Sequence, residues 1–553
     1  MWFDNEFSEV LKAALPYYLV VMLPVFIILS PAPVQAAHEF TVYRMQHYDL
    51  HNSHYGSRSA LASFDARSLE TRLPARKCIL TPIMDITVAR FKELVQENAG
   101  AIVLMLPNDL AKLEAKLRDH ILELEVALLG EEVPIPVYFV YETPEVLEIY
   151  RNIVATTRGD SASSAAAALM DTVLASGFQL SVSGSQAKAI TDVHIANILG
   201  KLPGYGAEEQ LPTVAIVAHY DSFGVAPELA TGTDSNGSGV AVLLELARLF
   251  SRLTDQSHRA GVPRFNLLFL LSGAGKFNYL GSKKFLEDQL DGAEGSWMQD
   301  TLFTLCLDSL GDGDDWYMHV SKPPKENTPS ASFYNELERL SGDSEMKIGI
   351  VHKKINLAED RLAWEHERYS IRRLPAFTLS GLPSSKISRR NSILDRSIDA
   401  TKLTKKVKII AESLAKNLYN ISEKSEVFTG DLAPREESIT AFMTQLTSQS
   451  RAAQLVASKH NPVVGMLEQA LQRYTKEVKV SYLTPDKREP DFVFYDMNKA
   501  TMFAYSIKPA IFDLVLTVLI VVYLCAFYGV VQNFSWFYSL ALQTVPVSAK
   551  KKL

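Results

Sequence analysis

Fully apolar runs of strand length punctuate the chain, and several are followed by a longer run in which apolar residues recur at helical spacing. "AGAIVLML", "IPVYFVY", "PTVAIVAH", "FNLLFLL", "DTLFTLCL" and "LPAFTLS" are of the first kind. Strands that read apolar at every position are covered on both faces. "LAKLEAKLRDHILELEVALL" and "SNGSGVAVLLELARLFSRL" are of the second kind. In the latter, Val240, Leu243, Leu244 and Ala247 form the predicted apolar stripe. The alternation is βαβ logic and predicts an α/β fold built on a mixed, mostly parallel sheet. Polar residues gather where the strands end, at the edge where open α/β sheets bind ligands.

The pattern divides the chain. An α/β subdomain is expected over 38–160, and the Ser/Ala-rich "GDSASSAAAALM" marks its end. A second α/β domain is expected over 161–425. A helical region, with the extended "PDFVFYD" within it, is expected over 426–508.

Two apolar segments are too long and too uniform for this scheme. "ALPYYLVVMLPVFIILSPAPVQA" ends in Val34-Gln35-Ala36, which fits a signal-peptidase site. Residues 1–36 are read as a signal peptide, with retention as a signal anchor the alternative, because Asp4, Glu6 and Glu9 outnumber Lys12 ahead of it. "PAIFDLVLTVLIVVYLCAFYGVV", residues 509–531, carries one charge, Asp513. At 1.5 Å rise per residue it is long enough to cross a hydrocarbon core of about 30 Å. The tail over 532–553 holds three lysines and no acid, which places it in the cytosol and the bulk of the chain in the lumen. Lys550 and Lys551 resemble a dilysine retrieval signal of the endoplasmic reticulum; anchoring of the helix by charge alone is the alternative. Asn420-Ile421-Ser422 is a sequon in the expected lumenal part. A second sequon, at Asn236, lies in a loop expected to fold into a pocket.

Composition narrows the function classes. The 553 residues carry a net charge of -7 with both signs interspersed, so nucleic acid is not an expected partner. Cys78, Cys306 and Cys525 form no CxxC pattern, which excludes a cysteine zinc site. A Cys78–Cys306 bond and two separate buried thiols both fit the sequence, the latter being the expected state.

Between strand and helix, "LLSGAGKFNYLGS" looks like a phosphate cradle. A Walker A loop requires glycine at residue 270 and a hydroxyl at residue 277, and the chain has Leu270 and Phe277. "VAHYDS", "GTDSNGSGVAVLLELAR", "GKFNYLGSKKF" and "LCLDSLG" follow one another in an order that resembles the zinc aminopeptidase family that also contains nicastrin. "AAHEFTVYRMQHYDL" and "INLAEDRLAWEHERYSIRRLPAFTLS" extend the likeness to its degenerate, nicastrin-like branch over nearly the whole chain.

The resemblance implies a two-zinc peptidase fold and assigns positions to its chemistry. Such a site needs imidazole and carboxylate ligands, a bridging carboxylate and a glutamate base. His219 falls on the first histidine ligand, Asp221 on the aspartate that supports it, and Asp308 on a later carboxylate ligand. Ser235 falls on the bridging aspartate, with Asp234 one residue away. Gly275 and Lys276 fall on the paired glutamates. After "LPAFTLSG" the family's last histidine is missing, and His366 fits a histidine that is not a ligand. The implied site is therefore vestigial, without cofactor. Three acids, Asp221, Asp234 and Asp308, are left needing a partner. Lys276 is the candidate, its ammonium standing in for zinc; a Lys276 that faces solvent is the alternative.

For this branch the resemblance implies a non-catalytic glycoprotein of the endoplasmic reticulum membrane. Its implied partners are the Nodal modulator protein and transmembrane protein 147, at a ribosome-associated translocon for multipass proteins, with a link to Nodal signalling. The alternatives are a nicastrin-like receptor for the N-termini of membrane proteins and an active zinc aminopeptidase.

Overall fold

The computed structural model describes residues 37–159, 177–206, 211–256, 264–291, 297–298, 300–359, 361–419, 421, 425–486, 488–507, 510–534 and 536. The expected signal segment, Asn420, Lys550 and Lys551 lie outside the described residues.

The apolar runs fold as strands. Eight of them form one sheet in the order Lys347–His352, Asp315–Val320, Ala376–Ser380, Thr301–Leu307, Thr213–His219, Asn266–Ser272, Ile195–Leu202, Glu477–Leu483. The four strands from Ala376–Ser380 to Asn266–Ser272 run parallel, and antiparallel pairings flank them. Alternate side chains enter two cores. Val214, Ile216, Leu267, Phe269, Phe303 and Leu305 face a large cluster that takes in the helices Gly239–Gln256, Pro329–Asp343, Ala400–Tyr419 and Pro462–Gln472. Ala215, Val217, Leu268, Leu270 and Cys306 face a smaller one against Leu280–Leu290 and His366–Ile371.

The helix Gly239–Gln256 departs from the expected stripe. From Gly239 to Phe250 it is buried on every side, because the helices Ala400–Tyr419 and Glu436–Thr447 close over the face turned away from the sheet. Its charged pair is buried with it: Arg248 donates to both carboxylate oxygens of Glu245, at 2.9 and 2.6 Å.

A second body is a closed seven-stranded barrel of Ala37–Arg44, Lys499–Ile507, Gly177–Val182, Ser63–Arg67, Cys78–Pro82, Ala101–Leu106 and Val137–Tyr141. It closes because Ala37–Arg44 pairs with both Lys499–Ile507 and Val137–Tyr141. The boundaries expected at 160 and 425 are thereby corrected. Strands 177–182 and 499–507 belong to the barrel, and strand 477–483 is an edge of the large sheet. The region expected to be helical therefore supplies strands to both bodies. Ladder bonds between segments hundreds of residues apart set this division, and local composition carries no trace of them. Cys78 and Cys306 sit in separate cores as free thiols; burial pushes the Cys78 thiol up to about 12.

After the last barrel strand comes a helix, Ala510–Gln532, with Leu514, Leu516, Val518, Leu519, Ile520, Val521, Val522 and Leu524 all exposed. Among the described residues no helix is long and apolar enough to cross a membrane.

Candidate functional site at the sheet edge

The parallel strands deliver their C-terminal ends to one edge of the large sheet, and the residues singled out by sequence meet there. His219 ends its strand and is fully buried. The loop after Asn266–Ser272 packs directly on it. A Cβ at Gly275 would lie 2.3 Å from both Cβ and Cγ of His219. Glycine at 275 is thus more than a missing glutamate, since the loop occupies space that a side chain there would need.

Asp221 fixes this loop. Its two oxygens accept from the backbone N–H groups of Gly275 (2.7 Å) and Lys276 (2.9 Å). Burial raises its pKa, against the pull of His219 and these donors. Asp234 accepts from the Gly311 N–H (2.6 Å) and the Ser238 hydroxyl (2.8 Å). Asp395 accepts from the N–H groups of Asp234 (2.9 Å) and Ser235 (2.7 Å). Burial raises the pKa of both Asp234 and Asp395, and each lies close enough to the other to disfavour double ionisation.

Lys276 takes only part of the role expected of it. Its ammonium donates to the Ser235 hydroxyl (2.5 Å) and to the Arg390 carbonyl (3.0 Å), and makes no ion pair with an acid among the described residues. Burial lowers its pKa to about 8, with the neighbouring Arg390 charge adding to the effect. The cation that meets Asp308 is Arg390. Its guanidinium donates to Asp308 Oδ2 and to the Tyr279 hydroxyl (2.7 Å), and lies 4.5 Å over the Trp364 ring. Burial alone would raise the Asp308 pKa; the charges of Arg390, His219 and Lys276 overcome it and hold the carboxyl well below its usual range. Burial would likewise depress Arg390, but Asp308 and Tyr279 push its pKa up instead.

Three participants carried no motif. Arg390 and Asp395 come from "ISRRNSILD", the stretch noted only for lacking a histidine. Glu365 precedes His366 in "WEHERYS" and is the buried acid that faces His219: Oε2 lies 3.3 Å from Nδ1, while Oε1 accepts from Ser272 and Ser282, each at 2.6 Å. The signal for Glu365 was a second acid beside a histidine of the family pattern. For Arg390 there was none, because its partner lies 82 residues away. His366 is buried against Thr378 (2.9 Å), and burial pushes its pKa down to about 3.

The barrel holds the Arg390 loop in place. Glu125, buried on helix Ala115–Gly130, accepts from the Ser392 hydroxyl and from the N–H groups of Ile393 (3.0 Å) and Val225 (3.4 Å). Ile393 and Leu394 enter the barrel-side apolar cluster. Asn236 is fully buried, its Nδ2 donating to the carbonyls of His219 (3.1 Å) and Leu307 (2.8 Å), so this sequon is spent inside the site.

A dinuclear zinc centre does not fit these residues. His219 Nε2 is buried without a partner and could take a metal. The rest of the donor set cannot follow. Asp308 is held by Arg390, Asp221 by two N–H groups, and the 275–276 pair offers no side-chain ligand. Among the described residues no group of three or more His, Cys, Asp and Glu side chains could hold a metal ion.

Residues 197–389 match the model of peptidase family M28. The chain is 46% identical to the Homo sapiens "BOS complex subunit NCLN" over 557 residues, covering 98% of each chain. It is 46% identical to "BOS complex subunit ncln" of Danio rerio over 556 residues, covering 96% of each. It is 27% identical to "Nicalin" of Caenorhabditis elegans, covering 94% of this chain and 95% of that one. Among solved structures, the γ-secretase component nicastrin superposes with a TM-score of 0.59 at 10% identity, over 84% of this chain and 99% of that one. That likeness is one of fold.

Proposed function

The chain belongs to the nicalin family, and from that premise we propose that it is a non-catalytic scaffold subunit of a BOS-type complex in the endoplasmic reticulum membrane. On this reading its partners are the Nodal modulator protein and transmembrane protein 147, and the assembly supports insertion of multipass proteins at the ribosome-associated translocon and influences Nodal signalling. The observation that carries the reading is the Arg390–Asp308 pair: a carboxylate assigned to a metal is neutralised by a buried guanidinium instead. With no glutamate at 275 or 276, nothing at those positions can take a proton from water.

The topology follows the sequence. The run over 509–531, whose one charge is Asp513, is read from the sequence as a single crossing. The positive tail then lies in the cytosol, with Lys550 and Lys551 as a retrieval signal, and Asn420 carries a lumenal glycan. Residues 1–36 act as the signal peptide. The receptor alternative, in which free N-termini enter the old pocket, is disfavoured by charge. Lys276 and Arg361, neither in an ion pair among the described residues, line the cleft beside it, and both repel an ammonium.

Purification of the tagged chain from microsomes in mild detergent tests the proposal. Co-purification of the Nodal modulator and transmembrane protein 147 in stoichiometric amounts is expected. Recovery of the chain alone, or chelator-sensitive release of amino acids from a peptide, overturns it.

A further inference from the structure

Beside the Arg390–Asp308 pair lies a cleft of about 260 Å³ whose lining has the opposite charge to a peptidase site. Among the described residues five cations line it, Lys276, Lys353, Arg361, Lys386 and Arg390, against one acid, Glu359. Arg390 is neutralised by Asp308, and Lys353 lies 4.0 Å from Glu359. That leaves three cations on three separate loops without an ion-pair partner among the described residues. Two of them are held in place. Arg361 donates to the Tyr48 hydroxyl (2.8 Å) and stacks 4.5 Å over Tyr55, and Lys276 spends two of its three N–H donors on Ser235 and the Arg390 carbonyl. Lys386 is exposed at the mouth.

The nearby acids do not cancel this field from inside the cleft. Asp221, Asp308 and Asp395 lie behind the wall, and their oxygens are engaged by the backbone of Gly275 and Lys276, by Arg390 and Ser309, and by the backbone of Asp234 and Ser235. On the back wall, Arg390 is only 8% exposed and its buried Nε–H has no partner. A preformed pocket that leaves charge unneutralised gains most from a ligand that brings the opposite charge and accepts charge-assisted hydrogen bonds. Three unpaired cations around so small a volume match a dianion better than a lone carboxylate.

We propose that this cleft binds a phosphate dianion, either free or as the phosphomonoester of a small molecule. The site is independent of the scaffold role, since it needs no partner protein.

Calorimetric titration of the full-length protein in detergent, at pH 7 and constant ionic strength, with inorganic phosphate as the probe, tests this. One saturable site per chain is expected. Lys386→Ala, at an exposed position outside the buried network, should weaken binding about three- to tenfold, and Lys276→Gln by tenfold or more. Lys322→Ala, an exposed lysine outside the cleft, should leave it unchanged. A parallel titration with glycerol phosphate separates the sources: tighter binding than inorganic phosphate assigns a phosphomonoester, weaker binding the free ion. Absence of saturable binding, or equal affinity in wild type, Lys386→Ala and Lys276→Gln, overturns the proposal.

Discussion

Two loops leave the same edge of one sheet and shape the site in opposite ways. The loop after Asn266–Ser272 has been emptied: Gly275 presses against His219, and Asp221 ties down its backbone. The loop after Ala376–Ser380 has been filled: Arg390 reaches Asp308, and Asp395 caps the Asp234–Ser235 backbone. On the proposed reading, the first loop is where catalytic function is lost. The second shows why the fold survives the removal. Acids once matched to a metal become uncompensated buried charges when the metal goes, and each must find a new donor or take a proton. Here Asp308 has a guanidinium, Asp221 has two N–H groups, and Asp234 is shifted towards its neutral form.

The sharpest way to break this comparison is to remove the filling. Arg390→Met leaves Asp308 buried and unpaired and should cost about 3–5 kcal/mol, read from denaturant unfolding of the purified protein. Adding Asp308→Asn should recover a large part of that loss. An additive double mutant would mean the pair does not hold the loop. Next in size is refilling the emptied loop. Gly275→Ala forces Cβ into His219 and should cost about 1–3 kcal/mol, although alanine is otherwise the milder residue. Lys276→Met sharpens the distinction between the two cations. It removes two hydrogen bonds but no ion pair, so it should cost about 1–2 kcal/mol, well below Arg390→Met. Equal losses would return Lys276 to the role of charge partner.

A pH-dependent effect concerns the strut between the bodies. Burial raises the Glu125 pKa from its ordinary 4.5 to about 7, although Ser392, Ile393 and Val225 donate to it. A folded-state pKa above the unfolded one means stability that is full below about 4.5 and is lost as pH rises through about 7. Glu125→Gln should flatten that part of the profile of unfolding midpoint against pH. An unchanged slope would show that Glu125 does not titrate there.

Much of the first loop was legible in the sequence, and almost none of the second. The strands around it read as unbroken apolar runs because both faces are covered, and the vestigial positions His219, Asp221, Asp234, Ser235, Gly275, Lys276 and Asp308 do come together at the sheet edge. A loss shows in a motif as a wrong residue at a known place. A replacement does not, because Arg390 and Asp308 meet only once the strands that precede them, Ala376–Ser380 and Thr301–Leu307, pair in parallel. The same limit hid the barrel. Its closing strand, Lys499–Ile507, lies more than 450 residues from Ala37–Arg44, the strand with which it pairs. It also hid the all-round burial of the helix from Gly239 to Phe250, which depends on two helices packed from later in the chain.

The central claim is that arginine has replaced the metal at this site. Zinc titration of the full-length protein, purified without chelator and followed by calorimetry with metal analysis of the recovered sample, tests it most directly. The account predicts substoichiometric zinc and no saturable binding at the site, in the wild type and in Lys276→Met alike. One or two tightly bound zinc ions per chain, lost on His219→Ala or Asp308→Ala, would contradict it.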